Sequence, residues 1–541
     1  MPLVPLPDDL GERTVPELLD AAAATTGAHT ALIAPGLGEP EGSLTYAELN
    51  SLSGRLANFL ADRGVVKGDR VAILLDQAET LEAHLTYHAS HKLGAINVPL
   101  NTRYVERELE YVLRFSRPSA VVFSGRSAGL LGQLQGAIDS ASLLEAAPEP
   151  SLGERFGDAL EGPELAQRVA LSEDEDADWV FTSGTTGNPK AVALTQANSV
   201  ACGHEAVHLW GLDSDSIYQS FAPFFTSTGC HTNLLPCLVT RCTYVVEPEF
   251  HATETVRRIR RHGTTSIFLV SGVIQLILDR VESDELDAEV GESELRRIAY
   301  GGQPMAAPFY RRVESVFGER YGLELVHLWG LTEGGTCGTL LPPELHRDGV
   351  ERAGKHGLSI GTRGWNDWIR VKVVGDDDAE AAASEIGEIC VQAPSVMDRY
   401  VDEEEATTEA LRDDWLHTGD MGVLDDDGFL YFVDRRKQMI RRGGLNISSA
   451  EVEGVVAQHP AVAEVAVVPK PNPILEQEVK AVVVTRDVIE TSAEEIIEHC
   501  RGLLADYKVP VEVQFIEQLP RNAMGRVIKG ALTGEGSSLQ D

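Results

Sequence analysis

The run Thr182-Ser-Gly-Thr-Thr-Gly-Asn-Pro-Lys190 concentrates groups that bind phosphate. Its glycines let backbone N–H groups approach an anion, its hydroxyls add donors, and Lys190 supplies a point charge. Thr182, Ser183, Gly184, Thr185, Thr186, Gly187 and Lys190 therefore form a candidate cradle for a polyphosphate. The spacing is not that of a Walker A loop, GxxxxGK[ST]. A flexible surface loop could also carry small residues, but this one directly follows the apolar run Trp179-Val-Phe, a strand candidate. Cys230, Cys237 and Cys242 lie close in sequence yet match no common zinc spacing, and they read as small buried hydrophobes.

Six segments, in order, resemble the adenylate-forming superfamily of acyl-CoA synthetases, luciferases and peptide-synthetase adenylation domains. They are the phosphate loop, Tyr300-Gly-Gly-Gln-Pro-Met305, Trp329-Gly-Leu-Thr-Glu333, His417-Thr-Gly-Asp420, Asp434-Arg-Arg-Lys-Gln-Met-Ile440 with Gly443, Gly444 and Glu451-Val-Glu453, and Pro520-Arg-Asn-Ala-Met-Gly-Arg526. The resemblance spans nearly the whole chain. It implies an ATP-dependent acid–CoA ligase: a carboxylate attacks the α-phosphate of ATP, pyrophosphate leaves, and the thiol of CoA displaces AMP from the acyl adenylate. Such chemistry asks the protein to neutralise charge and hold reactants in line rather than to form covalent bonds.

The resemblance also implies roles. Thr182 to Lys190 would hold the β- and γ-phosphates, and Gly301, Gly302, Gln303 and Pro304 would line the adenine side. Trp329, in place of the usual Tyr or Phe, would lie on the adenine face beside Gly330. Thr332 would donate to the α-phosphate and Glu333 would bind Mg²⁺, a suitable task for a hard oxygen ligand. Asp420 would accept the ribose hydroxyls, and Arg435 would contact ribose or phosphate. Lys437 would be the hinge about which the C-terminal domain turns between half-reactions, and Gly443 and Gly444 would line the pantetheine channel of CoA. Ser448 and Glu451 form a capping-box pattern, which gives Glu451 a structural role.

Three positions depart from the family. Ala191 stands where Gly usually follows the lysine, a tolerable methyl group. Thr226 replaces the His of Pro223-Phe-Phe-Thr-Ser-Thr-Gly229, which reshapes the acyl pocket. Arg526 stands where the family has the lysine that bridges carboxylate and α-phosphate; its planar fork is not interchangeable with a compact ammonium, so adenylation is expected at a reduced rate. Lys529 should point elsewhere. Two alternatives to the CoA ligase follow: an adenylate former that hands its acyl group to a carrier protein, and a nucleotide-binding homologue impaired in synthesis. The segments matching the acyl pocket, residues 221–232, 267–276, 300–305 and 330–334, contain no Lys or Arg. Dicarboxylates are therefore disfavoured, and monocarboxylic acids with a medium or long aliphatic or an aromatic tail remain.

The elements that must hold these groups alternate. Residues 44–115 read as helix, strand (DRVAILL), helix near Leu81 to Leu93, and strand (AINVPL). After a surface connection over 137–176, strands are expected at Trp179 to Thr182, Tyr244 to Val246, Ser266 to Val270, Arg297 to Ala299 and Glu324 to His327. This pattern implies an α/β fold with two helix-covered, mostly parallel sheets. Short strands with turns over about 345–433 suggest a small β-barrel. The expected division is an N-terminal domain over 1–433, a hinge over 434–440 and a mobile α+β C-terminal domain over 441–541.

Composition narrows the setting. Against 46 Lys and Arg stand 84 Asp and Glu, a formal net charge of -38, so nucleic-acid binding and adhesion to anionic lipid are disfavoured. Only 10 of the 46 basic residues are Lys. An acid-rich, lysine-poor surface suits molar salt, and a halophilic, haloarchaeal cytosol is expected. Seven Cys, an odd number with no CxxC pair, fit reduced thiols. No signal peptide or membrane-spanning run is expected, the location is cytoplasmic, and a homodimer stays open.

Overall fold

The computed structural model describes residues 4–7, 10–182, 188–302, 307–335, 338–352, 358–363, 367–442, 445–486, 491–521 and 527–533. Two eight-stranded sheets dominate. In one, the inner strands Ser266–Val270, Arg297–Gly301 and Glu324–Trp329 run parallel, and antiparallel strands close both ends. In the other, Arg70–Leu74, Ile96–Pro99, Ala120–Ser124 and Asp176–Thr182 are parallel, and Lys190–Thr195 and Arg399–Tyr400 extend the sheet antiparallel. The helices Thr80–Leu93 and Gln196–Trp210 contact strands of both sheets. Every residue of Thr80–Leu93 is buried, as a helix covered on all sides must be.

Local signals explain several boundaries. Thr45 and Glu48 form a reciprocal capping box that starts helix Tyr46–Asp62. Gly94, at φ +67°, ends Thr80–Leu93. The expected surface connection over 137–176 is corrected: it contains strands Ser142–Ala146 and Glu154–Arg155 at the sheet edge. There the buried Glu145 carboxylate accepts the N–H groups of Ser151 and Leu152, both at 2.8 Å. A locally satisfied acid therefore sits in a strand that composition alone marks as surface.

The β-rich region is a six-stranded antiparallel sheet. Its path runs from Ser359–Thr362 to Arg370–Val374, which do not pair with each other among the described residues. The last part of the chain forms a five-stranded sheet around Val462–Asn472 and Glu476–Thr485, packed with helices Ser449–Val456 and Ala493–Arg501. Among the described residues, no helix is long and apolar enough to cross a membrane.

Candidate active site

The phosphate loop is the connection of a hairpin. Strands Asp176–Thr182 and Lys190–Thr195 pair antiparallel with Thr182 opposite Lys190. Ser183, Gly184, Thr185, Thr186 and Gly187 lie outside the described residues. Tyr400, in the next strand, reaches across: the Lys190 ammonium lies 5.0 Å from its ring centroid, and its hydroxyl donates to Glu333 Oε1 at 2.9 Å. Burial, with the Glu333 carboxylate beside it, pushes the Tyr400 hydroxyl well above its ordinary range, so it remains a donor. Thr332 and Glu333 occupy a single 3-10 turn, Thr332–Gly334, just beyond strand Glu324–Trp329. Met397 N–H donates to the Glu333 carbonyl at 2.8 Å and fixes that turn.

A second cluster gathers around Asp420. The indole N–H of Trp329 donates to Asp420 Oδ2 at 3.0 Å, and Arg435 Nε lies 3.5 Å from Oδ1. Asp420 and Arg435 are register partners on adjacent strands. Gly419, at φ +72°, donates its N–H to the buried Glu388 at 2.9 Å, which sets the turn before Asp420. Trp329 fits because Gly338 faces it; a Cβ there would stand 2.6 Å from the ring. Gly301 is equally constrained, since its Cβ would meet the Leu328 carbonyl at 2.3 Å, and Gly302 has φ +83°. Gly330 is exposed beside Trp329. Gln303 and Pro304 lie outside the described residues.

Across the hinge, Lys437 is exposed in the 3-10 turn Arg436–Gln438. Gly443, Gly444 and Arg526 lie outside the described residues. Lys529 bonds Ser449 Oγ and Glu453, each at 2.7 Å, so it is committed within the C-terminal region. Ser448 Oγ accepts the Glu451 N–H at 3.2 Å, but the Glu451 carboxylate pairs with Lys508 instead of returning to close the expected capping box. Its role is still structural.

The departures are explained locally. The Ala191 methyl packs in an apolar cluster with Ala193 and Val401. Thr226 Oγ1 donates to the Pro223 carbonyl at 2.7 Å and accepts the Gly229 N–H at 3.0 Å, so it caps the turn that opens the segment 228–233. Phe224 faces the core, 5.1 Å edge-to-face from His84. Behind that segment, His231 Nε2 lies 2.9 Å from Asp178 Oδ2, which also accepts the Ser199 hydroxyl. Burial pushes His231 down, but Cys230 and Asp178 outweigh it and raise it to about 10. This pair joins the phosphate-loop strand to the acyl-side segment.

Tyr400 and Glu388 carry no motif of their own; pairing between strands brings them to the site. Cys230, Cys237 and Cys242 are buried thiols. Glu388, Cys390 and His417 could hold a metal by geometry, but guanidinium groups of Arg412 and Arg436 lie 3.5 and 3.6 Å from Glu388 Oε2 and oppose a cation there.

Comparison with known proteins matches residues 19–401 to the AMP-binding enzyme family and residues 451–526 to the AMP-binding enzyme C-terminal domain. The chain is 31% identical to the long-chain-fatty-acid–CoA ligase FadD13 of Mycobacterium tuberculosis over 92% of this chain and 93% of that protein. It is 30% identical to the crotonobetaine/carnitine–CoA ligase of Salmonella choleraesuis over 96% and 99%. Among solved structures, o-succinylbenzoate CoA synthetase (MenE) of Bacillus subtilis with its acyl-adenylate intermediate superposes with TM-score 0.81 at 28% identity, covering 95% of this chain and 97% of that one. MenE has also been solved with ATP and magnesium ion.

Proposed function

The chain belongs to the AMP-binding enzyme family, and we propose on that premise that it is an ATP-dependent, AMP-forming acid–CoA ligase acting on a monocarboxylic acid with an apolar tail. The observation that carries this reading is the convergence of two clusters, Lys190–Tyr400–Glu333 and Trp329–Asp420–Arg435, joined by the short segment from Trp329 to Glu333.

In this reading Lys190 and the loop before it balance the β- and γ-phosphates, and Thr332 donates to the α-phosphate. Trp329 holds the adenine face and Asp420 the ribose hydroxyls. Glu333 fits Mg²⁺: Tyr400 engages one carboxylate oxygen, and the other is a hard ligand beside the phosphate loop. When bound, the ion neutralises charge that builds on the phosphates. Arg526 meets the carboxylate and α-phosphate during adenylation. The region 441–541 then turns about 434–440, with Lys437 as pivot, to admit CoA past Gly443 and Gly444. The excess of acidic over basic residues and the scarcity of Lys support a salt-rich cytosol as the setting.

The test supplies ATP, Mg²⁺, CoA and a panel of acids in molar KCl and scores pyrophosphate and CoA thioester for wild type and Arg526→Ala. Thioester with wild type and a slower pyrophosphate release with the variant are expected. AMP without thioester would favour a carrier-protein acceptor, and equal pyrophosphate rates would remove Arg526 from adenylation.

A further inference from the structure

One buried carboxylate joins the strand of the phosphate loop to three other elements. Asp178 lies in strand Asp176–Thr182, which leads into the loop, and it is fully buried. Its Oδ2 lies 2.9 Å from His231 Nε2 in the segment Thr228–Asn233. The same oxygen accepts the Ser199 hydroxyl of helix Gln196–Trp210 at 3.0 Å and the Tyr87 hydroxyl of helix Thr80–Leu93 at 3.4 Å. Oδ1 faces His91 Nε2 at 3.6 Å. Gln196 sets the His91 ring: its amide oxygen accepts the Val15 N–H at 3.0 Å, so its amide nitrogen donates to His91 Nδ1 at 3.2 Å and leaves the Nε2–H aimed at Asp178.

Stability alone does not call for this arrangement. Taking a carboxylate and an imidazole that pairs with it out of water is costly, and apolar side chains of similar volume would pack at least as stably. What the pair supplies is direction, because hydrogen bonds fix angle and separation where apolar contacts slide. The elements it sets in register are the two that adenylation brings together. His231 belongs to residues 221–232, which by resemblance line the acyl pocket, and Asp178 shares a strand with Thr182 at the start of the phosphate loop. His231 Nδ1 in turn lies 3.3 Å from Ser227 Oγ, which extends the tie along the acyl side.

During adenylation a carboxylate oxygen attacks the α-phosphorus while the bond to the bridging oxygen breaks and pyrophosphate leaves with the electron pair. The reacting atoms must approach to about 3–3.5 Å in line, and an error of about 1 Å between them slows such a step by about 100-fold. We propose that Asp178 and His231 are positioning residues for this step: their pairing holds the acyl-side segment against the phosphate-loop strand and so sets the line between carboxylate and α-phosphate. This inference rests on the acid–CoA ligase reading. Both residues are fully buried, so they act through the elements they join, and neither belongs to any of the six motif segments.

The test follows the two half-reactions of the full chain separately: pyrophosphate release from ATP, Mg²⁺ and an acid, and CoA thioester formation from supplied acyl adenylate. His231→Gln keeps a donor near the Nε2 position and removes the charge. It should lower kcat for pyrophosphate release by about 100-fold, with KM for ATP and acid changed by about threefold or less and thioester formation by about twofold or less. Adding Asp178→Asn restores a neutral hydrogen-bonded pair and should recover about tenfold of the loss. Should His231→Gln fail to fold, Ser199→Ala removes one hydrogen bond to the same oxygen and leaves the Asp178 to His231 contact. It should slow pyrophosphate release by about fivefold with thioester formation unchanged. Equal losses in both half-reactions of a folded variant would mean that the pair only holds the core, and unchanged pyrophosphate release would remove the positioning role; either overturns the proposal. A double variant no faster than His231→Gln would overturn the pairing. No pyrophosphate from wild type with any acid would overturn the ligase reading, and the proposal with it.

Discussion

Trp329 does two jobs that a phenylalanine would split. Its ring offers a flat face beside the Thr332 turn, while its N–H holds the Asp420 carboxylate. A hydrogen bond to a charged group contributes about 1.5–3 kcal/mol. Trp329→Phe keeps a ring and deletes the donor, so KM for ATP should rise by about tenfold, with a smaller change in KM for the acid; steady-state kinetics checks this. A second residue predicts a pH effect. Glu205 is fully buried, and burial raises its carboxyl from 4.5 to about 8, resisted by Ser395. The folded state therefore keeps a proton that the unfolded chain releases, so its stabilisation is complete below pH 4.5 and is lost as pH rises through 8. Between pH 5.5 and 8.5 the wild type should lose roughly 3 kcal/mol from this group, whereas Glu205→Gln should lose none of it. Melting curves at the two pH values should show the variant gaining on wild type at the higher one; parallel behaviour would contradict the assignment. At this scale the sequence was most informative for the motif side chains, whose chemistry is written in their types. Tyr400 and Glu388 were illegible because an isolated tyrosine and glutamate acquire a role only when strand pairing sets them beside Glu333 and Gly419.

Among the elements, the junction at Asp434 deserves the test. Asp434 lies in the last strand of the antiparallel sheet, Phe429–Arg435, and its Oδ2 accepts the N–H and hydroxyl of Ser449, both at 2.7 Å, at the start of helix Ser449–Val456. A carboxylate at a helix N-terminus contributes about 1 kcal/mol. It also ties the two sides of the hinge. Asp434→Asn weakens that tie, so tryptic cleavage at the exposed Arg435, Arg436 and Lys437 should quicken by about fivefold; an unchanged rate would show that the tie does not hold the hinge. Element by element, periodic segments were readable: strand Ser266–Val270 lies where alternation put it, and helix Tyr46–Asp62 follows its capping residues. The hairpin Thr30–Gly36 to Glu39–Thr45 was passed over, because its turn places Leu37 at φ +54°, a position where leucine gives no turn signal.

For the whole molecule, the charge of -38 has to coexist with ATP and CoA, both polyanions. In the proposed reading Lys190 and Arg435 offset that repulsion locally, where the phosphates would sit. Screening shortens the reach of that repulsion to about 3 Å at molar salt. Thermal melts in low and molar KCl should therefore show higher stability in the concentrated salt, and equal stability in both would count against a salt-adapted surface. Two-stage chemistry through an acyl adenylate can be followed directly in one experiment. The enzyme is incubated with ATP labelled at the α-phosphate, Mg²⁺ and an acid it uses, first without CoA and then with it. The account predicts a labelled acyl adenylate in the first stage that converts to AMP and CoA thioester in the second. Label released as AMP with no acyl adenylate and no thioester, or label retained in ATP throughout, would contradict it.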